Sequence, residues 1–494
     1  MSSNPDLSEF VKAYDVRGLV GSQLTDAVVS AIGAAFVDEV AASGLDVYVG
    51  HDMRDSSPGF AAAFARGAQA RGANVVAIGL CSTDENYFAS GRFDAPAAMF
   101  TASHNPATYN GIKLSRAGAR GISFNTGLEA IRDRATVYLE SGIGEVAAPG
   151  GFRELDVLAD YAAYLRTLVD LSGVRPMRVV VDAGNGMGGL TVPAVLGGTA
   201  GLPALPIEVI PLFFELDGTF PNHEANPLNP ANLVDLQKAV VEHGADLGLA
   251  FDGDADRCFV IDENGEAMNP SAVAAVVALR EIRRVRALEL GASAISGQRR
   301  DASADDRPGR REDHAPIYVI HNLITSRIVP ETIRSAGAIP VRTRVGHSLI
   351  KDEMAATGAI FGGEHSAHYY FRDFWGADNG MLAAMHLLAE FGGQDGPLSA
   401  FSRRYTPYAL SGEINSTVGD VPAAYARIVD AYSSLGEFDE LDGLTVSGHS
   451  DDTFWWFNVR PSNTEPLLRL NVEAGTRETM VRIRDHALSL IRAA

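Results

Sequence analysis

Three stretches of the chain share one alternation of apolar and polar positions. In each, an apolar run ends in a polar or glycine-rich turn and a helical pattern follows: DVYVGHDMRDSSPGFAAAFARGAQARG at 46–72, RVVVDAGNGMGGLTVPAVLGG at 178–198 and IYVIHNLITSRIVPETIRSAGA at 317–338. Short apolar runs alternating with helical periodicity predict βαβ units and largely parallel sheets. Their recurrence at wide spacing predicts three α/β domains of related plan. The C-terminal region reads differently, as GEINSTV, helical VPAAYARIVDAYSSLG, then LTVSG, TFWWFNV and PLLRLNV, then helical RETMVRIRDHALSLIRAA. Clustered strands flanked by helices predict an α+β domain with a sheet covered on one face. The predicted divisions are 1–153, 154–261, 262–390 and 391–494. The segment 298–316, QRRDASADDRPGRREDHAP, carries charges of both signs and no large aliphatic or aromatic residue, which predicts a mobile surface insertion. Its arginines are matched by acidic residues, which disfavours a nucleic-acid-binding tail.

Composition narrows the class. A chain of 494 residues suits three or four domains at about 150 residues each. With 46% hydrophobic and 21% charged residues, a disordered or fibrous protein is excluded. No apolar run reaches the roughly eighteen residues of a membrane span, and MSSNPDLSEF lacks the basic-then-apolar order of a secretory signal. The two cysteines, Cys81 and Cys258, are far apart and without zinc-like spacing, so a reducing, cytoplasmic setting is expected. The net charge of −21 disfavours nucleic acid and anionic membranes as partners. Any anionic ligand must then be met by a few placed Arg, Lys and His residues.

Four segments carry chemistry. In LGLAFDGDADRCFVIDENGE (247–266) an apolar strand delivers Asp252, Asp254 and Asp256 at alternating positions. Three such carboxylates repel unless a cation neutralises them, and hard oxygen ligands suit Mg²⁺ or Ca²⁺. An EF-hand is rejected: Arg257 stands where that loop needs Gly, and strands rather than helices flank it. AAMFTASHNPATYNGIKLS (97–115) places Ser103 and His104 in a loop shaped by Pro106, where a serine is either a nucleophile or a helix cap. NVRPSNTEPLLRL (458–470) offers the Arg460 guanidinium with Ser462, Asn463 and Thr464, a donor set resembling a phosphate nest or, more simply, a polar β-turn. In AIFGGEHSAHYYFRDFWGADNGM (359–381), Glu364 and Ser366 follow glycines that admit a polar ligand, and Glu364 suits two sugar hydroxyls. Gly184, Gly186 and Gly189 match G-x-G-x-x-G, the dinucleotide fingerprint, but no acidic residue clearly ends the next strand. A tight strand-to-helix turn is the simpler reading. No P-loop is present.

Taken in order, TASHNP (101–106), DGDADR (252–257), GEHSAH (363–368) and RPSNTEP (460–466) closely resemble the α-D-phosphohexomutase family, in particular its phosphomannomutase/phosphoglucomutase branch. Supporting matches are YDVRG (14–18), YNGIK (109–113), DGTFPNHEANPLNPANL (217–233) and VGHSLIK (345–351), so the resemblance covers nearly the whole chain. It implies four domains around a central cleft, with mixed sheets, and a reversible phosphoryl transfer between the 6- and 1-positions of a hexose phosphate. It implies that Ser103 carries the phosphoryl group, that Mg²⁺ is held by Ser103, Asp252, Asp254 and Asp256, and that a hexose 1,6-bisphosphate is the intermediate. Arg17, Lys113, His104 and His347 are implied around the transferring group, Lys113 and His347 as proton carriers. Arg257, Glu364, Ser366 and His368, with Arg460, Ser462, Asn463 and Thr464, are implied in substrate binding. GEHSAHYYFRD looks more like mannomutases than like glucosamine- or glucose-specific relatives. The rivals are a phosphoglucosamine mutase, a dedicated phosphoglucomutase, or a catalytically silent sugar-phosphate-binding protein. Small-molecule hexose phosphates are the expected partners of a monomer or homodimer. Two departures stand out: Ile324 where relatives often carry Lys, and His365 where Met is common.

Overall fold

The computed structural model describes residues 5–144, 146–297, 315–450, 453–461 and 467–493, without the side chains of 291–297 and 347–348. Most of the predicted charged insertion thus lies outside the described residues. The chain groups into two compact units, one of residues 1–268, 354–361 and 366–399, the other of 269–353, 362–365 and 400–494.

The first unit holds two complete sheets. One runs in the order Val16–Leu19, Tyr109–Arg116, Ala97–Phe100, Asp46–His51, Asn74–Leu80, Phe152–Glu154, with Arg120–Gly121 beside Tyr109–Arg116. Ala97–Phe100, Asp46–His51 and Asn74–Leu80 are parallel, as the βα rhythm predicts. Tyr109–Arg116 enters antiparallel to both neighbours and makes the sheet mixed. A short loop returns the chain from Phe100 to Tyr109, and a connection that short permits only an antiparallel neighbour. The helices Asp26–Glu39, Ser57–Ala70 and Leu128–Ser141 share a core with the sheet through Val29, Ile32, Phe64, Phe100, Ile112 and Ile131.

The other sheet runs Ala267–Met268, Cys258–Asp262, Leu247–Phe251, Met177–Asp182, Ile207–Leu212. Met177–Asp182 lies between two parallel neighbours, and every residue of Leu247–Phe251 is buried, the mark of a central strand. Cys258–Asp262 then pairs antiparallel with it, so the DGDADR segment is the turn between two buried strands. The strands of 318–378 divide between the units: Tyr318–Asn322 and Ile339–Thr343 pair parallel in the second, Tyr369–Phe371 and Ala377–Asp378 antiparallel in the first.

In the second unit, residues 409–474 form a five-stranded antiparallel sheet, in the order Ala409–Thr417, Leu467–Ala474, Thr453–Pro461, Leu444–Ser450, Gly436–Asp439. Trp455, Phe457 and Val459 alternate inward with Leu468, Leu470 and Val472. Ile428 and Tyr432 of the helix Val421–Tyr432, and Ile483, Ala487 and Ile491 of Arg477–Arg492, complete that core. This is the predicted α+β plan. The opposite face carries Asn458, Arg460, Asn471 and Glu473, all buried and polar.

Candidate active site

Ser103 follows the buried strand Ala97–Phe100 and adopts φ +50°, a left-handed backbone uncommon for a residue with a β-carbon. Two groups hold it there. Thr101 Oγ1 accepts the Ser103 N–H at 2.9 Å. The Arg54 guanidinium, 2% exposed, donates to the carbonyls of Ser103 (2.8 Å), Asn105 (2.7 Å), Pro106 (2.9 Å) and Tyr109 (3.1 Å). Arg54 is itself tied to Asp52 at 3.2 Å, and Ser57 donates to the same carboxylate at 2.6 Å. Sequence reading missed Arg54; the available signal was a lone arginine in the polar turn HDMRDSSP after a buried strand.

The acidic turn meets this loop through a missing side chain. A β-carbon on Gly253 would lie 2.4 Å from the Ser103 carbonyl oxygen, so only glycine allows the two backbones to touch. The glycine motif at 184–189 supports the same approach. A β-carbon on Gly186 would lie 2.7 Å from the Gly253 carbonyl oxygen, which accepts the Met187 N–H at 2.9 Å. That motif packs against the acidic turn and serves the strand-to-helix turn expected of it.

With the loops in contact, Ser103 Oγ donates to Asp252 Oδ2 at 2.8 Å. Arg257 Nη2 lies 3.3 Å from the same hydroxyl, 2.6 Å from Asp252 Oδ2, and against Nδ1 of His104. His104 Nδ1 is also 3.1 Å from Ser103 Oγ. Burial first, then the positive charge of Arg257 and Arg17, holds the His104 ring well below its ordinary pKa, so it is neutral at pH 7. Burial pushes the Asp252 carboxyl up to about 7, against the pull of Arg257.

Asp254 and Asp256 take a different course. Lys113 Nζ sits 2.7 Å from Asp254 Oδ2 and 2.6 Å from Asp256 Oδ2. Thr83 Oγ1 adds a bond to Asp254 Oδ2 at 2.6 Å. Burial works against both carboxylates. For Asp254, Lys113 and then Thr83 outweigh it; for Asp256, Lys113 and then His368 do, and both carboxyls are held below their ordinary range. Burial likewise opposes the ammonium, yet its two partners raise Lys113 well above the usual lysine value. In this state Lys113 can give a proton but not accept one.

The Asp252, Asp254 and Asp256 side chains offer oxygens that all lie within 4.8 Å of one another. Asp254 Oδ1 and Asp256 Oδ1 are buried with no hydrogen-bond partner. A buried carboxylate oxygen without a donor is costly, and a hard divalent cation satisfies it. The residues therefore fit Mg²⁺, with Ser103 Oγ beside them.

Other predicted residues fall as follows. Arg17 donates to Asn105 Oδ1 at 2.8 Å and pairs with Asp15 at 2.6 Å, so it borders the serine loop. His368 Nε2 is 4.0 Å from Asp256 Oδ1, and Ser366 Oγ is 3.0 Å from its Nδ1, so these two flank the acidic trio. Asp378, which sequence reading also missed, groups with Asp256 and His368 within 4.8 Å. In the second unit Glu364 is buried and accepts from Asn322 Nδ2 at 3.1 Å. His365 Nδ1 lies 3.1 Å from Ser271 Oγ, burial lowering its pKa. Ile324 is buried in the core. Arg460 is buried and reaches Glu413 at 3.1 Å. Ser462, Asn463 and Thr464 lie outside the described residues, as does the side chain of His347, which begins the helix His347–Thr357.

Comparison with known proteins covers the same ground. The chain matches the models of phosphoglucomutase/phosphomannomutase alpha/beta/alpha domains I (8–138), II (159–265) and III (303–408), and of the C-terminal domain (413–489). It is 39% identical over 485 residues to a protein of Xanthomonas campestris pv. campestris named phosphohexose mutases, covering 97% of this chain and 98% of that one. It is 36% identical over 467 residues to a phosphomannomutase of Salmonella montevideo, covering 94% of each. The crystal structure of a phosphoglucomutase/phosphomannomutase family protein from Burkholderia thailandensis is similar at a TM-score of 0.81 and 28% identity, over 100% of this chain and 99% of that one. With four matched domains and these relatives, the chain belongs to the phosphoglucomutase/phosphomannomutase family and is a phosphohexomutase.

Proposed function

We propose that the protein interconverts hexose 6-phosphate and hexose 1-phosphate through a phosphorylated Ser103 and a hexose 1,6-bisphosphate, with mannose phosphate preferred and glucose phosphate also accepted. The observation that carries this reading is Ser103 Oγ, 2.8 Å from Asp252 Oδ2 and 3.3 Å from Arg257 Nη2, beside a buried acidic trio in which Asp254 Oδ1 and Asp256 Oδ1 have no hydrogen-bond partner. The four-domain division at 1–153, 154–261, 262–390 and 391–494 belongs to the same proposal.

Phosphoryl transfer depends mainly on alignment and charge neutralisation. Mg²⁺, when bound by Asp252, Asp254 and Asp256, supplies Lewis-acid neutralisation of the phosphoryl oxygens. The chain does the rest. A sugar hydroxyl oxygen bonds to phosphorus as the bond from phosphorus to Ser103 Oγ breaks. The hydroxyl proton passes to a nearby base, the role proposed for His347. Arg257 donates to Oγ as negative charge develops there, and His104 Nδ1 borders the same oxygen. Lys113 keeps Asp254 and Asp256 ionised. Arg54 keeps the serine backbone in its left-handed turn, so Oγ faces the trio at no further ordering cost. Glu364, Ser366 and Arg460 are assigned to the sugar and its second phosphate. The bisphosphate then turns round, Ser103 Oγ bonds to its other phosphorus as the bond from that phosphorus to the sugar oxygen breaks, and the held proton returns to that sugar oxygen.

Intact mass of the purified protein tests this, with one phosphate expected on Ser103. Ser103→Ala should lower turnover by orders of magnitude, with circular dichroism unchanged. Near-normal turnover in that variant overturns the phosphoserine reading. Parallel assays with mannose, glucose and glucosamine 1-phosphates test the sugar, and fastest turnover of glucosamine 1-phosphate overturns the mannose preference.

A further inference from the structure

We infer that His365 is a positioning residue: with Ser271 it fastens the loop that carries Glu364 to the turn 322–326, and Glu473 fastens that turn to the C-terminal sheet. This role rests on the mutase reading, in which Glu364 meets the sugar and Arg460 the second phosphate. It adds His365, Ser271, Ser326 and Glu473, none of which that reading uses. Glu364 and His365 are neighbours in the chain, and each is tied to one end of the same turn. Asn322 Nδ2 donates to Glu364 Oε1 at 3.1 Å. At the other end the Ser326 N–H donates to Ser271 Oγ at 3.0 Å, and that oxygen lies 3.1 Å from His365 Nδ1. Having accepted the amide proton, Ser271 Oγ gives its own proton to Nδ1. Burial lowers the pKa of the ring, which therefore stays neutral at pH 7 and accepts there. Glu364 is thus held from two directions, where the Asn322 bond alone would leave it a pivot.

The same turn reaches the C-terminal sheet. Ser326 Oγ donates to Glu473 Oε1, while Oε2 accepts the Arg327 N–H at 3.0 Å and the Trp456 Nε1–H at 2.6 Å. A buried carboxylate is costly unless donors fill its oxygens. Two of these donors belong to the start of the helix Ile328–Ser335, so Glu473 caps that helix from a distant part of the chain. Glu473 also shares the polar face of the sheet with Arg460. The bonds make one path, His365 to Ser271 to Ser326 to Glu473. Ser271 and Glu473 are fully buried and Ser326 is 3% exposed, so water does not readily replace a lost member. Both departures noted in the sequence meet here, Ile324 buried within the turn and His365 bonded across to it through Ser271.

The test measures kcat and KM of full-length variants on mannose 1-phosphate or glucose 1-phosphate, whichever the parent turns over faster. A loop freed from its anchor is competent only part of the time, and apparent affinity falls by that fraction. His365→Leu and His365→Gln place no acceptor at the Nδ1 position. Each should raise KM by about three- to tenfold, the loss of one neutral hydrogen bond, with kcat within about twofold of the parent. His365→Asn, whose Oδ1 takes the place of Nδ1, should bring KM back to within about twofold. Packing alone favours Leu and Gln, which are nearer to His in size, so a larger KM in His365→Asn than in those two overturns the tether. Ser271→Ala should raise KM as His365→Leu does, and the double variant should be no worse than either single one. Losses that add overturn the shared path. An unchanged KM in His365→Leu, with an active parent, overturns the role of His365 and leaves the mutase reading standing. A parent that turns over no hexose phosphate overturns the mutase reading instead, and with it the purpose of the tether.

Discussion

Lys113→Met tests the electrostatics of the acidic trio. The ammonium lies within 2.7 Å of two carboxylates whose side chains are 0% and 2% exposed, and is itself only 17% exposed. Two unit charges about 4 Å apart attract by about 4 kcal/mol at an effective dielectric constant near 20. Removing one partner of a buried pair typically costs about 3–5 kcal/mol, because the remaining charge stays desolvated. The pH window follows from the signs. Both carboxyls titrate below their ordinary range in the folded protein, so their contribution is present above the unfolded carboxylate pKa and fades as pH falls through the folded values. Lys113 titrates above its ordinary value, so its contribution is present below the unfolded lysine pKa and fades only as pH rises through the folded one. At pH 7.5 both are fully present. In chelator at that pH, the unfolding midpoint of Lys113→Met should fall by roughly 3–5 °C, because a chain of 494 residues unfolds with an entropy of about 1 kcal/mol/K. The gap should narrow towards pH 5, as the uncompensated carboxyls take up protons. Mg²⁺ at about a hundred times its dissociation constant should restore roughly 2.7 kcal/mol. A midpoint in chelator equal to the parent's at pH 7.5 would refute the claim that Lys113 compensates the trio.

Three further outcomes are expected. Gly253→Ala places a methyl group 2.4 Å from the Ser103 carbonyl oxygen, so turnover should collapse and stability fall by about 1–3 kcal/mol, read by activity and urea unfolding; an active, stable variant would show that the loops need not touch. Asp84 is buried, bonded to Tyr161 at 2.6 Å, and raised to about 7 chiefly by burial. Its folded pKa exceeds the unfolded value, so its favourable contribution is complete below about pH 4 and lost as pH rises through 7; Asp84→Asn should therefore flatten the decline in stability between pH 5 and pH 8, and a slope equal to the parent's would count against it. Chelator should abolish mutase turnover and added Mg²⁺ restore it, and turnover indifferent to chelator would remove the metal from the acidic trio.

How much was legible in the sequence differs from feature to feature. TASHNP and DGDADR each marked a polar turn after an apolar strand, and both strands are where the periodicity put them. That Ser103 touches Asp252, 149 residues away, was not written in either motif. It follows from the approach of two backbones at Gly253, and in a linear sequence that glycine looks like any other turn residue. The glycines at 184–189 resembled a nucleotide fingerprint for the same reason, since close backbone packing needs glycine whatever lies on the other side. Arg54 left only the signal of a lone arginine in a polar turn, because its four partners in the serine loop are backbone carbonyls, which carry no side-chain signature.

The amino-acid sequence by itself determined the local matters: which runs are strands and helices, where the chain turns, and which residue types are gathered in each turn, because side-chain periodicity and backbone preference act over a few residues. Tertiary structure alone decided the split between a raised Asp252 and two lowered neighbours, and the meeting of Arg460 and Arg469 with Glu413. Those outcomes depend on which atoms share a low-dielectric space, and segments far apart along the chain come to share one only when the sheets have packed.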